Sequence, residues 1–118
     1  MIRIKNTKNM GRGLFASENI KKGALIHVSE LLKIPLEEVV MCPTIEKCVF
    51  GYSKRFSVMA LGLGSLFNHC SEPNVEAWHG YRDDREVMEF RTMCAIKKGQ
   101  QLFIDYGDNY AFDNNVKR

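Results

Sequence analysis

Three short pieces of this chain carry side chains whose types and spacing can do chemistry. The first is "MGRGLFAS" (Met10–Ser17), in which Gly11 and Gly13 flank Arg12. A Gly-x-Gly pair lets the backbone approach a ligand closely and offer its N–H groups. The second is "FNHCSEPN", where Asn68 and His69 follow an apolar run and precede the turn residues Pro73 and Asn74. The third is "QQLFIDYGDNYAF", in which a strand-like stretch ends at Asp105-Tyr106-Gly107 and the aromatics Tyr110 and Phe112 follow.

Read singly, each piece has an ordinary explanation. Gly11-Arg12-Gly13 is not a dinucleotide fingerprint, because it lacks a third glycine and a following helix. "LGLGSLF" is not a phosphate loop, because no lysine follows its glycines. Cys70 beside His69 is a poor nucleophile pair, since adjacent side chains diverge and no helix start is present to activate the thiol. His27 and His79 read as structural or surface histidines, and aromatics near a terminus commonly plug a core.

The elements that must position these residues are short and β-prone. Strands are expected at Ile2–Lys5, Gly13–Ala16, Ala24–Ser29, Val75–His79, Glu86–Thr92 and Gln101–Ile104, punctuated by turns at Gly11, Gly13, Gly23, Gly80 and Gly99. "PLEEVV" (Pro35–Val40) has the proline and early acids of a helix start, and "GSLFNH" suits a single turn. Ile-Lys-Lys-Gly occurs twice, in Asn19–Ile26 and Ala95–Ile104, each as a charged turn entering a strand. The fold class is therefore mainly β, or β-rich α+β, in one domain over residues 1–118.

Composition narrows the function. The 118 residues are 45% hydrophobic and 26% charged, which is globular rather than disordered. A net charge of +3 with only short basic pairs gives no footprint for direct nucleic-acid binding. The longest apolar run is roughly half a membrane span. No apolar leader is evident at the N-terminus. Cys42, Cys48, Cys70 and Cys94 lack C-x-x-C spacing, which argues for thiols in a reducing compartment and against a metal site. An intracellular location, cytoplasm or nucleus, is expected.

In order, "GRGLFASENIKKGALI", "FNHCSEPN" and "AIKKGQQLFIDYG" resemble the SET-domain family of protein lysine methyltransferases, most of all the minimal SET proteins of large DNA viruses and some bacteria. The resemblance spans Ile2 to about Tyr110. It implies a β-clip of several short-stranded sheets with one or two short helices. It also implies a knot-like crossing of the Asn-His and Asp-Tyr segments near the C-terminus. The implied reaction moves a methyl group from S-adenosylmethionine to a lysine amine, with no metal. The substrate would be a lysine-bearing protein or peptide, a histone tail among the candidates, and in the viral case the site of action would be the host nucleus.

The family pattern carries roles onto particular residues. Tyr106 would be catalytic, orienting the amine and polarising the methyl group. Gly11, Arg12, Gly13, Asn68, His69, Tyr106 and Phe112 would hold the donor. Phe50, Tyr52, Phe67, Ile104 and Tyr110 would line the substrate channel. Ile104 stands where a tyrosine would hold a water that crowds the amine, so addition of two or three methyl groups is expected. Residues 31–57 would be the variable, substrate-reading insert, and no zinc-binding segment is expected after Tyr106. A homodimer is open to a domain this small. The alternative reading is a SET-like module that binds a lysine-bearing peptide without catalysis.

Overall fold

The computed structural model describes residues 1–105, and strands dominate them. β1 (Ile2–Asn6) and β2 (Arg12–Ala16) form a hairpin whose loop turns at Gly11, with φ of +67°. That left-handed conformation suits glycine because a Cβ would crowd the following carbonyl. β3 (Leu25–Pro35) is the longest strand and leads into α1 (Leu36–Val40) and α2 (Pro43–Glu46). β4 (Val49–Gly51), β5 (Phe56–Ala60), a 3-10 turn at Gly64–Leu66 and β6 (Asn68–His69) follow. β7 (Val75–Arg82), β8 (Arg85–Thr92) and β9 (Gln101–Ile104) complete the described residues.

Two sheets result, in the orders β1-β2-β9-β6 and β4-β5-β3-β8-β7. A shared core fills the molecule, with Leu14, Val58, Phe67, Val75, Phe90, Leu102 and Ile104 all at 1% exposure or less. Phe67 and Phe90 stack at its centre with ring centroids 4.5 Å apart. Such a pair contributes about 0.5–1.5 kcal/mol beyond its buried area.

The expected mainly β class holds, and the differences from sequence have physical causes. β3 runs past Ser29 to Pro35, so residues 31–35 of the supposed insert are continuous sheet paired with Phe56–Ala60. β5 carries three buried residues in five and therefore reads as an apolar run rather than an alternation. Gly80 does not turn the chain. It pairs with Val87 inside the β7–β8 ladder, and the hairpin turns instead at Asp83 and Asp84, with φ of +49° and +66°. Two consecutive positive values make the tight hairpin turn that matches strand twist, and aspartate tolerates it better than most residues.

The repeated Ile-Lys-Lys-Gly turns meet each other. Ile20 and Ile96 exchange both backbone hydrogen bonds at 2.8 Å, and both side chains are buried. Gly23 and Gly99, each at positive φ, donate their N–H groups to Thr92 and Ala16 respectively. Two like turns thus seal one end of the core by pairing face to face.

Candidate functional site

β9 positions the site, because it lies between the two N-terminal and central motifs. On one side it pairs antiparallel with β2, Leu14 opposite Leu102 and Phe15 opposite Gln101. On the other it pairs parallel with β6, Asn68 opposite Phe103 and His69 opposite Ile104. The ladder continues as Cys70 N–H donates to the Ile104 carbonyl at 3.0 Å. A parallel pair requires a long connection that returns the chain to the same end of the sheet, and here β7 and β8 lie within that connection. Arg12-Gly13, Asn68-His69 and the approach to Asp105 are thereby brought side by side.

Asn74 secures the turn behind β6. Its Nδ2 donates to the Gln101 carbonyl at 2.9 Å, and its Oδ1 accepts from Phe103 N–H at 2.8 Å. One carboxamide thus satisfies two β9 backbone groups that would otherwise compete for water.

The Asn68 amide is committed on one side only. Its Nδ2 donates to the Arg12 carbonyl at 3.2 Å and to Gln101 Oε1 at 3.0 Å. Gly13 sits beneath this contact. A Cβ there would stand 2.6 Å from Gln101 Oε1 and 2.8 Å from Asn68 Nδ2, closer than real contacts allow. The absent side chain at position 13 is therefore what admits the two amides. Before Gly13, Thr7 fastens the hairpin loop: its N–H and its hydroxyl both donate to the Gly11 carbonyl, at 2.7 and 2.8 Å.

His69 places Nδ1 3.6 Å from Asp105 Oδ1, both side chains being partly exposed. Next to them lies a pocket of about 300 Å³ lined by Pro73, Val75, Ala77, Trp78, Ile104 and Asp105, among others. Ile104, expected in the channel, is thus a wall of this pocket although only 1% exposed overall.

Phe50 and Phe67 are core residues at 5% and 1% exposure, and neither they nor Tyr52 is among the walls of the pocket that Ile104 lines. Tyr52 belongs to a polar cluster on the five-stranded sheet. Its hydroxyl is 2.8 and 2.7 Å from the Glu86 carboxylate oxygens, and His79 Nε2 is 2.8 Å from the same carboxylate. Lys33 Nζ lies 3.5 Å from Glu86 and 4.5 Å above the Tyr52 ring. Burial pushes the Tyr52 phenol pKa up, and the adjacent Glu86 reinforces it against the opposing pull of Lys33. Burial alone would raise Glu86, but Tyr52, Lys33 and His79 together outweigh it and hold the carboxyl below its ordinary range.

Tyr106, Tyr110 and Phe112 lie outside the described residues. Sequence reasoning did not single out Gln101, Ala77, Trp78 or Met93, and Asn74 was read only as a turn residue. A glutamine next to a strand start carries no signal of its own, and β propensity at Val75–His79 does not say which residues of that strand would line a pocket beside Ile104. The four cysteines are free thiols. Among the described residues no group of three or more His, Cys, Asp or Glu can hold a metal ion. No described helix is long and apolar enough to cross a membrane.

The SET-domain family profile matches residues 11–107. A Schizosaccharomyces pombe protein described as histone-lysine N-methyltransferase, H3 lysine-37 specific, is 32% identical over 119 residues, covering 98% of this chain and 79% of its own. A solved Plasmodium falciparum structure, described as a candidate histone methyltransferase, superposes with a TM-score of 0.76 at 27% identity, over 90% of this chain and 92% of that one. A Chaetomium thermophilum Polycomb Repressive Complex 2 structure bound to S-adenosylmethionine shares the fold, with a TM-score of 0.75 at 24% identity over 92% of this chain but only 15% of that one. With the profile spanning all three motifs and the strands that bring them together, the chain belongs to the SET-domain family.

Proposed function

We infer that the chain is an S-adenosylmethionine-dependent protein-lysine methyltransferase. The observation that carries this reading is the meeting of Arg12-Gly13, Asn68-His69 and the end of β9 at one crossing. The described residues suit the donor. Asn68 Oδ1 faces away from its committed amide nitrogen and can accept a hydrogen bond from an ammonium group. The loop around Gly11 and Arg12 brings backbone close by, and His69 adds main-chain groups beside the Ile104 ladder.

When bound, the donor's sulfonium supplies an already activated methyl group. The residues of the chain then need only orient and desolvate. The incoming lysine must be neutral to attack, and loss of water together with a nearby positive charge lowers its pKa from about 10.4 without a dedicated base. Tyr106 is assigned to orient that amine, with Phe112 on the donor side and Tyr110 on the lysine side. Phe50, Tyr52, Phe67 and Ile104 are assigned to the lysine side with Tyr110, Ile104 being an apolar wall of the neighbouring pocket and Phe50 and Phe67 members of the core cluster.

A lysine-bearing protein is the substrate class, and a histone tail is the first to test, given the S. pombe relative's description. Incubation with radiolabelled S-adenosylmethionine and a panel of histones and lysate proteins tests the reading. Label should appear on a lysine of one of them. Transfer to none, with no donor binding by calorimetry, would favour a peptide-binding module that lacks catalysis.

A further inference from the structure

The Asn68 carboxamide has two possible orientations about its last bond, and they present opposite chemistry to a ligand. With Nδ2 turned inward, only the oxygen faces the donor. With the amide turned over, an N–H faces it instead. Asn68 and the Arg12 carbonyl alone settle the choice weakly, through one contact of 3.2 Å on an exposed edge.

Gln101 supplies a second and shorter contact, its Oε1 accepting from Asn68 Nδ2 at 3.0 Å. The Gln101 backbone is fixed from both sides, by Phe15 across the β2 ladder and by Asn74 Nδ2 on its carbonyl. Gly13 leaves room for both amides to meet, since a Cβ there would collide with each. Both N–H groups of the Asn68 amide therefore have acceptors within the protein, and the exposed oxygen is left with none of the work of holding the strand.

We propose that Gln101 is a positioning residue that locks Asn68 as a pure hydrogen-bond acceptor, selecting the protonated amino group of the methyl donor. This rests on the methyltransferase reading above and adds to it the residue that fixes the polarity of the donor site. An ammonium group has three donors and no acceptor, so a turned-over amide would set N–H against N–H. A charge-assisted bond would be replaced by a repulsive contact.

The test compares S-adenosylhomocysteine with its deamino analogue, which lacks only the amino group, by calorimetry on the wild-type protein, Gln101→Met and Gln101→Glu. Methionine keeps the side-chain length but removes the acceptor, and glutamate restores acceptor oxygens. Gln101→Met should weaken S-adenosylhomocysteine by about tenfold, the size of one lost charge-assisted hydrogen bond. It should change the deamino analogue by less than about twofold, because that ligand does not depend on the orientation of the amide. Gln101→Glu should bind both ligands as the wild type does. Equal weakening of both ligands by Gln101→Met, undiminished S-adenosylhomocysteine binding by it, or failure of glutamate to restore affinity would each overturn the proposal. Absence of any S-adenosylhomocysteine binding by the wild type would overturn the methyltransferase reading and this inference with it.

Discussion

Asn74 reaches β9 through both ends of one amide, and its 2.9 Å bond to the Gln101 carbonyl ties the turn after β6 to the strand that β6 pairs with. The pairing between β6 and β9 is only two residues long. A side chain is therefore needed to hold what so short a ladder cannot. Replacing Asn74 by alanine should destabilise the protein by about 2 kcal/mol, two hydrogen bonds at roughly 1 kcal/mol each. Asn74→Asp should not recover the loss, since a carboxylate oxygen would then face the Gln101 carbonyl. Denaturant midpoints of the three proteins check this.

His27 accepts a hydrogen bond from Leu63 N–H at Nε2, 3.1 Å away, and packs against Phe90. Burial lowers its pKa below the ordinary value, with a backbone contact at Leu61 opposing. A lowered histidine pKa means that the unfolded chain binds the proton more readily. Stability is then complete above the unfolded value near 6.5 and is lost as pH falls from there through the folded pKa. The urea midpoint should begin to decline as pH falls through about 6.5, above the range where carboxylates titrate. His27→Gln, which keeps an acceptor for Leu63, should flatten that decline.

Ile104 presents a hydrocarbon wall to the pocket beside His69 and Asp105. On the proposed assignment of Ile104 to the lysine side, its side chain cannot hold a water by hydrogen bonding, which would leave a methylated amine room to turn and receive further methyl groups. Mass spectrometry of a substrate peptide after long incubation should show di- or trimethylated lysine. A product that stops strictly at one methyl group would contradict this assignment.

Tyr106→Phe keeps the ring and removes the hydroxyl that is assigned to orient the amine. Turnover should fall by about 10²-fold or more, the usual cost of lost alignment. Affinity for S-adenosylhomocysteine should stay within about twofold, since the donor's amino end is assigned to Asn68 rather than to the phenol. Steady-state turnover set beside calorimetry separates the two effects.

The motifs that meet at β9 were legible in the sequence because their residues are chemically conspicuous, although Tyr106 itself lies outside the described residues. Asn68-His69, Asp105-Tyr106-Gly107 and the glycines at 11 and 13 each break the local pattern of an apolar strand. Their order along the chain was enough to identify the family, later matched over residues 11–107. The strands at 2–5, 13–16 and 101–104 were equally readable from β propensity and flanking glycines. Phe50 and Phe67 carry a signature that sequence cannot divide, because a buried aromatic in a core and one lining a channel look alike, and packing shows both to be part of the core cluster.

The amino-acid order alone determined which backbone stretches extend, where glycine permits a turn, and which polar side chains must come to rest at a protein edge. It did not determine the partners of those side chains. That Gln101 meets Asn68, that Asn74 clasps Phe103, and that two Ile-Lys-Lys-Gly turns pair at Ile20 and Ile96 was decided by the tertiary structure. The reason is physical. Local propensity acts over a few residues, whereas these contacts join residues about thirty to seventy-five positions apart, and only burial of the shared core brings them within hydrogen-bond reach.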